Sequence, residues 1–380
     1  MNILLIIRWP VGGIQTYCKY VYSLPLFDDC TFTVVTTTEA DETYFKTTFG
    51  AKLGALHRLE EKSFSAASVL RIARRGTRPH LIHAHGFSSG ILGVPTKLLL
   101  GVPLILTSHD ILQDSQFAGA GGMLKKLALG GALRISTRVN VVGHDAAENL
   151  RSYFPGACSE KKMSVILNGI DVERFSESGR RDLRAELNVP PGTLLMGFFG
   201  RFMTQKGFRY ILDMLEHQRE RLSGPVHVVC FGWGGFIREE QADINRRGLN
   251  SFFSFMPATQ EMPQALKGCD VVLMPSLWEA MPLLAMEAFV AGTPLIATSC
   301  IGLKEVCVGT PAILCTPADS VSLLEGVNTF FRERAMRVAQ AEQYRSEAVR
   351  RFDRKRTAES LKDLYGNLVR PSGGLQCKTG

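Results

Sequence analysis

The chain has 380 residues, with 44 Lys and Arg against 36 Asp and Glu, a formal net charge of +8 and a pI near 9.0. This length fits two domains, and a hydrophobic content of 45% excludes a disordered chain. Nine cysteines at scattered positions, none in a Cys-x-x-Cys pair, exclude a disulfide framework and a zinc ribbon. They read as reduced thiols, and the expected location is cytoplasmic.

Residues 2–7 are apolar, but the run is short and stops at Arg8-Trp9-Pro10, so it reads as a buried first strand and not as a signal peptide. Short runs rich in Val, Ile and Leu at 3–7, 31–36, 81–83, 104–107, 139–142 and 165–167 alternate with helical segments, the pattern of a parallel sheet with crossover helices. The most membrane-like stretch, 86–108, contains two prolines and several glycines, and reads as a helix and a strand inside a core. After the turn Asn168-Gly169-Ile170-Asp171 the pattern restarts, with strands at 195–199, 226–231, 252–255, 271–274, 295–297 and 312–314. From about Ser320 the chain is helical and charged, ending with Leu361, Leu364, Tyr365 and Leu368 at helical spacing and then a frayed tail over 371–380. The fold class is therefore α/β, two doubly wound sheets: a first domain over 1–170, a second over 171–350 and a closing helix over 351–370. In open sheets of this kind ligands bind beyond the carboxyl ends of the strands, so two facing halves would place the chemistry in a cleft between them.

The positive charge is clustered. Residues 46–78 hold eight basic side chains against Glu60 and Glu61, and residues 332–356 hold nine against four acidic ones. A solvated surface and an attraction to anionic lipid both account for this. Nucleic acid is the weaker option, since no zinc-finger or RNA-recognition pattern accompanies the charge. Arg71, Arg74, Arg75 and Arg78 fall on one short helix-like segment, 69–78, which makes it the candidate for peripheral membrane contact.

Candidate chemistry concentrates in four places. The densest is 275–298, a strand end followed by Ser276-Leu277-Trp278-Glu279-Ala280-Met281-Pro282, a helix, and Gly292-Thr293-Pro294. Pro282 suits the first turn of that helix and Gly292 its stop. Glu279 then precedes a helix N-terminus that can face a phosphate, and Glu287 is an acid within a mostly apolar helix. Second, Gly200-Arg201 to Lys206-Gly207 puts two cations after a strand, suited to a phosphate although it is not a P-loop. Third, Gly12-Gly13 and Gly232-Trp233-Gly234-Gly235 follow strands and permit close backbone approach to a ligand. Fourth, His109 follows a strand, and His83 and His85 flank Ala84 at another strand end. With no third ligand evident, those two read as polar lining of the cleft. No Asp-x-Asp occurs to grip a metal-bound diphosphate, so cations and a helix end would have to serve, with no metal and no cofactor.

Taken together, the sequence resembles the retaining GT-B glycosyltransferases of glycosyltransferase family 4. The resemblance rests on Gly12-Gly13-Ile14, Thr107-Ser108-His109-Asp110, Val142-Gly143-His144, Asn168-Gly169-Ile170-Asp171, Gly200-Arg201 to Lys206-Gly207, Phe231-Gly232-Trp233-Gly234, and Glu279 to Glu287 with the trailing Gly292-Thr293-Pro294. It implies two Rossmann-like domains with the last helix crossing back onto the first. It implies that Glu287 bonds the ribose of a nucleotide-sugar donor, either a UDP- or a GDP-sugar, and that Glu279 bonds the transferred sugar. Met281, Leu283 and Leu284 would present backbone to the distal phosphate, Arg201 and Lys206 would neutralise the diphosphate, and His109 would lie against the sugar. Gly13 would lie near phosphate and acceptor, Gly232 on the donor side, Met256 beside the base, and Gly12 and His85 on the acceptor side. The acceptor would be a glycan or a lipid-linked sugar. Ala280-Met281 departs from the family's frequent Gly-Phe, and His144 stands where a serine is frequent; both bear on the choice of sugar. A GT-B nucleotide-sugar epimerase and, more distantly, a Rossmann dehydrogenase are the alternatives.

Overall fold

The computed structural model describes residues 1–369 except Trp233, Ala258 and Gln260. Trp233 of the glycine-rich loop and the tail 371–380 thus lie outside the described residues. The chain forms two units, one of Met1–Gly169 together with the closing helix Arg354–Val369, the other of Ile170–Asp353.

The first unit is built on seven parallel strands: β1 (Asn2–Ile7), β2 (Thr31–Thr37), β3 (Leu53–Leu59), β4 (Leu81–His85), β5 (Leu104–Ser108), β6 (Arg138–Val141) and β7 (Met163–Val165), in the order β3-β2-β1-β4-β5-β6-β7. The second has six: β8 (Leu194–Phe199), β9 (Val226–Phe231), β10 (Phe253–Met256), β11 (Val271–Met274), β12 (Leu295–Thr298) and β13 (Ile313–Cys315), in the order β10-β9-β8-β11-β12-β13. Each sheet grows outward from its first strand and then resumes on that strand's other side. The loops leaving β1 and β4, and those leaving β8 and β11, therefore diverge and open a crevice at the carboxyl ends. Both units are Rossmann-like α/β folds.

The central strands are apolar because helices cover both faces of a parallel sheet. Every residue of β4, β5, β8 and β11 is buried. In the first unit Leu5, Ile7, Tyr22, Phe27, Phe32 and Phe49 share one core with Ala358, Leu361 and Tyr365 of the closing helix. Burying a side chain such as Leu361 contributes about 1.5–3 kcal/mol, and Leu361 acts together with Ala358, Tyr365, Leu364 and Leu368 to hold that helix on this unit. In the second unit Phe198, Phe202, Phe208, Ile211, Val228, Leu273 and Phe330 pack together.

Several local expectations shift. β3 was not foreseen, since its residues are only half-buried and include His57 and Arg58. β7 lies two residues upstream of 165–167, where it pairs with β6 from Met163 to Val165 while Leu167 is exposed. The arginine-bearing helix is Ala66–Arg75 and is stopped by Gly76, so Arg78 lies beyond it and donates to the Leu100 carbonyl at 2.9 Å. Pro282 is the extended residue before helix Leu283–Ala291 and not part of its first turn. The stretch 86–108 is a helix, Phe87–Leu100, followed by β5. The eight cysteines among the described residues are all buried and carry free thiols. Among the described residues no helix is long and apolar enough to cross a membrane.

Candidate active site

In the second unit the carboxyl ends of β8 to β12 bring together most of the residues singled out by sequence. The loop leaving β8 turns at Gly207, whose φ of +66° admits glycine readily and whose position leaves no room for a side chain, since a Cβ there would lie 1.9 Å from the Pro275 carbonyl oxygen. That close approach sets Lys206 against the loop leaving β11. Lys206 Nζ donates to Glu279 Oε1 at 2.6 Å, and Ser276 Oγ donates to the same oxygen at 2.7 Å. Glu279 is buried, yet no described residue bonds its Oε2. The carboxylate is thus fixed by one oxygen and offers the other.

The backbone around it is pinned from both sides. Gln205 accepts from Leu277 N–H at 2.8 Å through its carbonyl and donates its amide to the Trp278 carbonyl at 2.9 Å. Glu279 N–H donates to the Ile301 carbonyl at 3.0 Å, while a Cβ at Gly302 would sit 1.9 Å from the Glu279 carbonyl oxygen. Ser276, Gln205 and Gly302 were not found from sequence. Of these, Gly302 carried a readable signal, a glycine between a strand and a helix.

Helix Leu283–Ala291 begins just beyond this loop with no side-chain cap, and Leu283 and Leu284 in its first turn are only partly buried. Its N–H groups are therefore placed to meet an anion. Glu287 is buried one turn further along. On the other side of β8, the loops leaving β8 and β9 are zipped together: Gly200 N–H donates to the Phe231 carbonyl at 2.9 Å, and a Cβ at Gly232 would lie 2.0 Å from the Gly200 carbonyl oxygen. Arg201 emerges here, partly exposed, with no described residue paired to its guanidinium. Met256 ends β10, in register with Phe231.

In the first unit Gly12 (φ +55°) leads from β1 into helix Gly13–Tyr22, and the space where a Gly13 side chain would stand is open. Beside it, His85 ends β4 and His109 follows β5. The sequence suggested that His83 and His85 line a cleft; instead both are fully buried, in a network reaching from the closing helix to the strand ends. Tyr22 Oη lies 3.0 Å from His83 Nδ1, 2.8 Å from His85 Nε2 and 3.1 Å from Tyr365 Oη. His85 Nδ1 lies 2.8 Å from His109 Nε2, and Tyr17 covers both rings. Both ring nitrogens of His85 are thus engaged, and it stands behind His109. Burial holds His83 and His109 down to about 3 and His85 well below the ordinary histidine value, so all three are neutral imidazoles at neutral pH.

Among the described residues one group of potential metal ligands comes together, Asp213, Glu216 and His217 on the surface helix Phe208–Gln218. Arg247 already pairs with Asp213 and Glu216 at 2.7 Å each.

The chain's relatives agree with this architecture. Residues 11–174 match the model of Glycosyltransferase Family 4, and residues 193–333 match that of Glycosyl transferases group 1. The chain thus carries the paired domains of the family-4, group-1 glycosyltransferases on a GT-B fold. Anabaena HepE, solved in complex with UDP and glucose, shares the fold with a TM-score of 0.82 at 22% identity, over 97% of this chain and 100% of that one. D-inositol 3-phosphate glycosyltransferase of Segniliparus rotundus is 28% identical over 249 residues, 62% of this chain but only 55% of the relative's own length. UDP-Gal:alpha-D-GlcNAc-diphosphoundecaprenol alpha-1,3-galactosyltransferase of Escherichia coli is 24% identical over 303 residues, 76% of each chain.

Proposed function

We propose that the protein transfers a hexose-type sugar, with retention at the anomeric carbon, from a nucleoside diphosphate donor to a glycan or lipid-linked acceptor in cell-surface polysaccharide or glycolipid synthesis. The observation that carries this reading is the Lys206–Glu279 pair at the crevice of the second sheet, a cation and a half-satisfied carboxylate beside an uncapped helix end. Cleaving the anomeric bond leaves negative charge on the departing diphosphate. Arg201, Lys206 and the N–H groups of Leu283 and Leu284 stabilise it without a metal, as preorganised donors do at low reorganisation cost. Glu279 Oε2 accepts from hydroxyls of the sugar, and Glu287 accepts from the ribose. Gly232 and Met256 border the nucleoside, and Gly12 and Gly13 let the acceptor and phosphate approach the β1 end. The acceptor attacks from the face the diphosphate leaves, which then takes its proton. The UDP and glucose in the HepE structure and the UDP-Gal in the Escherichia coli relative's name support a UDP-sugar as donor.

The test is direct. With UDP-, GDP- and ADP-sugars screened by thermal stabilisation, Glu287→Ala weakens donor binding roughly ten- to a hundredfold, the loss of charged hydrogen bonds. Arg201→Ala and Lys206→Ala each lower kcat about 10²–10³-fold, and EDTA leaves wild-type turnover unchanged. Wild-type rates in all three variants would overturn the assignment.

Helix Ala66–Arg75 exposes Arg71, Arg74 and Arg75, with Arg78 beside its end. Helix Gly119–Ile135 exposes Met123, Leu124 and Leu127 next to Lys125, and helix Phe87–Leu100 packs between the two and exposes Leu98 and Leu99. Exposed apolar side chains among exposed cations suit a peripheral contact with anionic lipid, which would bring the enzyme to a lipid-linked acceptor on the inner face of the membrane.

A further inference from the structure

The groups behind His109 form a chain with one hydrogen available per link, and its direction follows from its far end. Thr107 Oγ1 accepts from Asn140 Nδ2 at 3.2 Å and lies 2.7 Å from His83 Nε2. No other described group bonds that hydroxyl, so its own proton points at His83 Nε2. A neutral imidazole carries a single N–H, which for His83 must then be on Nδ1. From there it donates to the phenol oxygens of Tyr365 at 2.5 Å and Tyr22 at 3.0 Å. Tyr22 donates onward to His85 Nε2 at 2.8 Å. His85 therefore holds its proton on Nδ1 and donates to His109 Nε2 at 2.8 Å, the two rings being within 23° of coplanar. His109 is left with its proton on Nδ1, which no described residue bonds. The opposite direction would leave the buried Thr107 proton without an acceptor. Rotating the Asn140 amide to supply one would bury an unpaired NH2 in place of the unpaired Asn140 Oδ1, and orphaned buried donors are the rarer of the two.

We propose that this hydrogen-bond chain fixes the tautomer of His109, so that it presents an Nδ1–H donor to an acceptor oxygen of the sugar. Tyr22 and His85 are positioning residues. Tyr365 is a parallel link that the chain does not require, because it bonds both His83 and Tyr22 while His83 also reaches Tyr22 directly at 3.0 Å. The role toward the sugar rests on the function proposed above; the tautomer does not.

Two variants that each remove one buried hydroxyl separate this from plain packing. Long-range proton–nitrogen correlation on protein labelled with 15N-histidine reads the tautomer, and His109→Gln assigns the signal. Wild type and Tyr365→Phe show a single Nδ1–H form of His109. Tyr22→Phe cuts the chain and gives mixed tautomers. Turnover falls roughly tenfold or more in Tyr22→Phe, as expected when an imidazole is held in the wrong tautomer, and stays within about twofold in Tyr365→Phe. Should Tyr22→Phe fail to fold, Thr107→Val removes the anchoring donor and gives the same mixture. An Nε2–H form in wild type, or a Tyr22→Phe spectrum unchanged from it, overturns the proposal. A shifted tautomer with full turnover upholds the chain and removes His109 from the sugar site.

Discussion

Glu279 illustrates how little of a site one residue type defines. A glutamate before a helix and a lysine after a strand are legible in sequence, because their spacing from strand ends is short and fixed by the βα turn. Their being a pair depends on Gly207 touching Pro275 and on Gly302 touching Glu279, contacts between loops that are distant in the chain. No local periodicity encodes these. Gly302 tests the point: its φ of +76° and the 1.9 Å approach leave no room for a methyl group. Gly302→Ala should cost about 1–3 kcal/mol of stability from backbone strain, read as a lower melting temperature, and should weaken sugar-nucleotide binding while leaving Lys206 in place. A variant with wild-type melting and wild-type donor affinity would show that the loop does not hold Glu279.

At the scale of elements, the buried strands could be read because their runs of Val, Ile and Leu are continuous. β3 was lost because an edge strand with half-buried residues carries neither a continuous run nor a clean alternation. Both basic clusters are partly neutralised in the fold: in the earlier one Lys46 and Arg58 pair with Glu42 and Lys52 with Asp28, and most of the cations left over gather on one helix. In the later one Arg334 pairs with Asp270, Arg337 with Glu333 and Arg345 with Glu342, so much of its charge is answered internally. On helix Ala66–Arg75, Arg71, Arg74 and Arg75 have no acidic partner among the described residues. Co-sedimentation with vesicles containing anionic lipid should therefore fall for Arg71→Glu with Arg74→Glu and for Leu124→Ser with Leu127→Ser, and should be unaffected by Arg345→Gln. Binding that ignores anionic lipid content would remove the membrane contact.

The whole molecule inherits a pH dependence from its buried imidazoles. His83 and His109 are held near 3 by burial, with His85 also depressed, whereas an unfolded histidine titrates near 6.5. The unfolded chain therefore binds more protons below that value. The stability contributed by these neutral rings is fully present above about pH 6.5 and is lost as the pH falls toward 3, at up to about 1.4 kcal/mol per pH unit for a fully buried ring such as His83. Urea midpoints should drop steadily from pH 7 to pH 5, and the drop should be shallower in His83→Gln. A flat profile in the wild type would contradict neutral burial.

The chain crosses between units twice, and the crossings lie side by side: Ile170 N–H donates to the Phe352 carbonyl at 2.8 Å, and Ile170 forms a bridge with Asp353. A ribosome making this chain therefore completes the second unit before it delivers Ala358, Leu361 and Tyr365, the last pieces of the first unit's core. The half begun first is finished last. Until then it must wait with an open seam where the closing helix will dock.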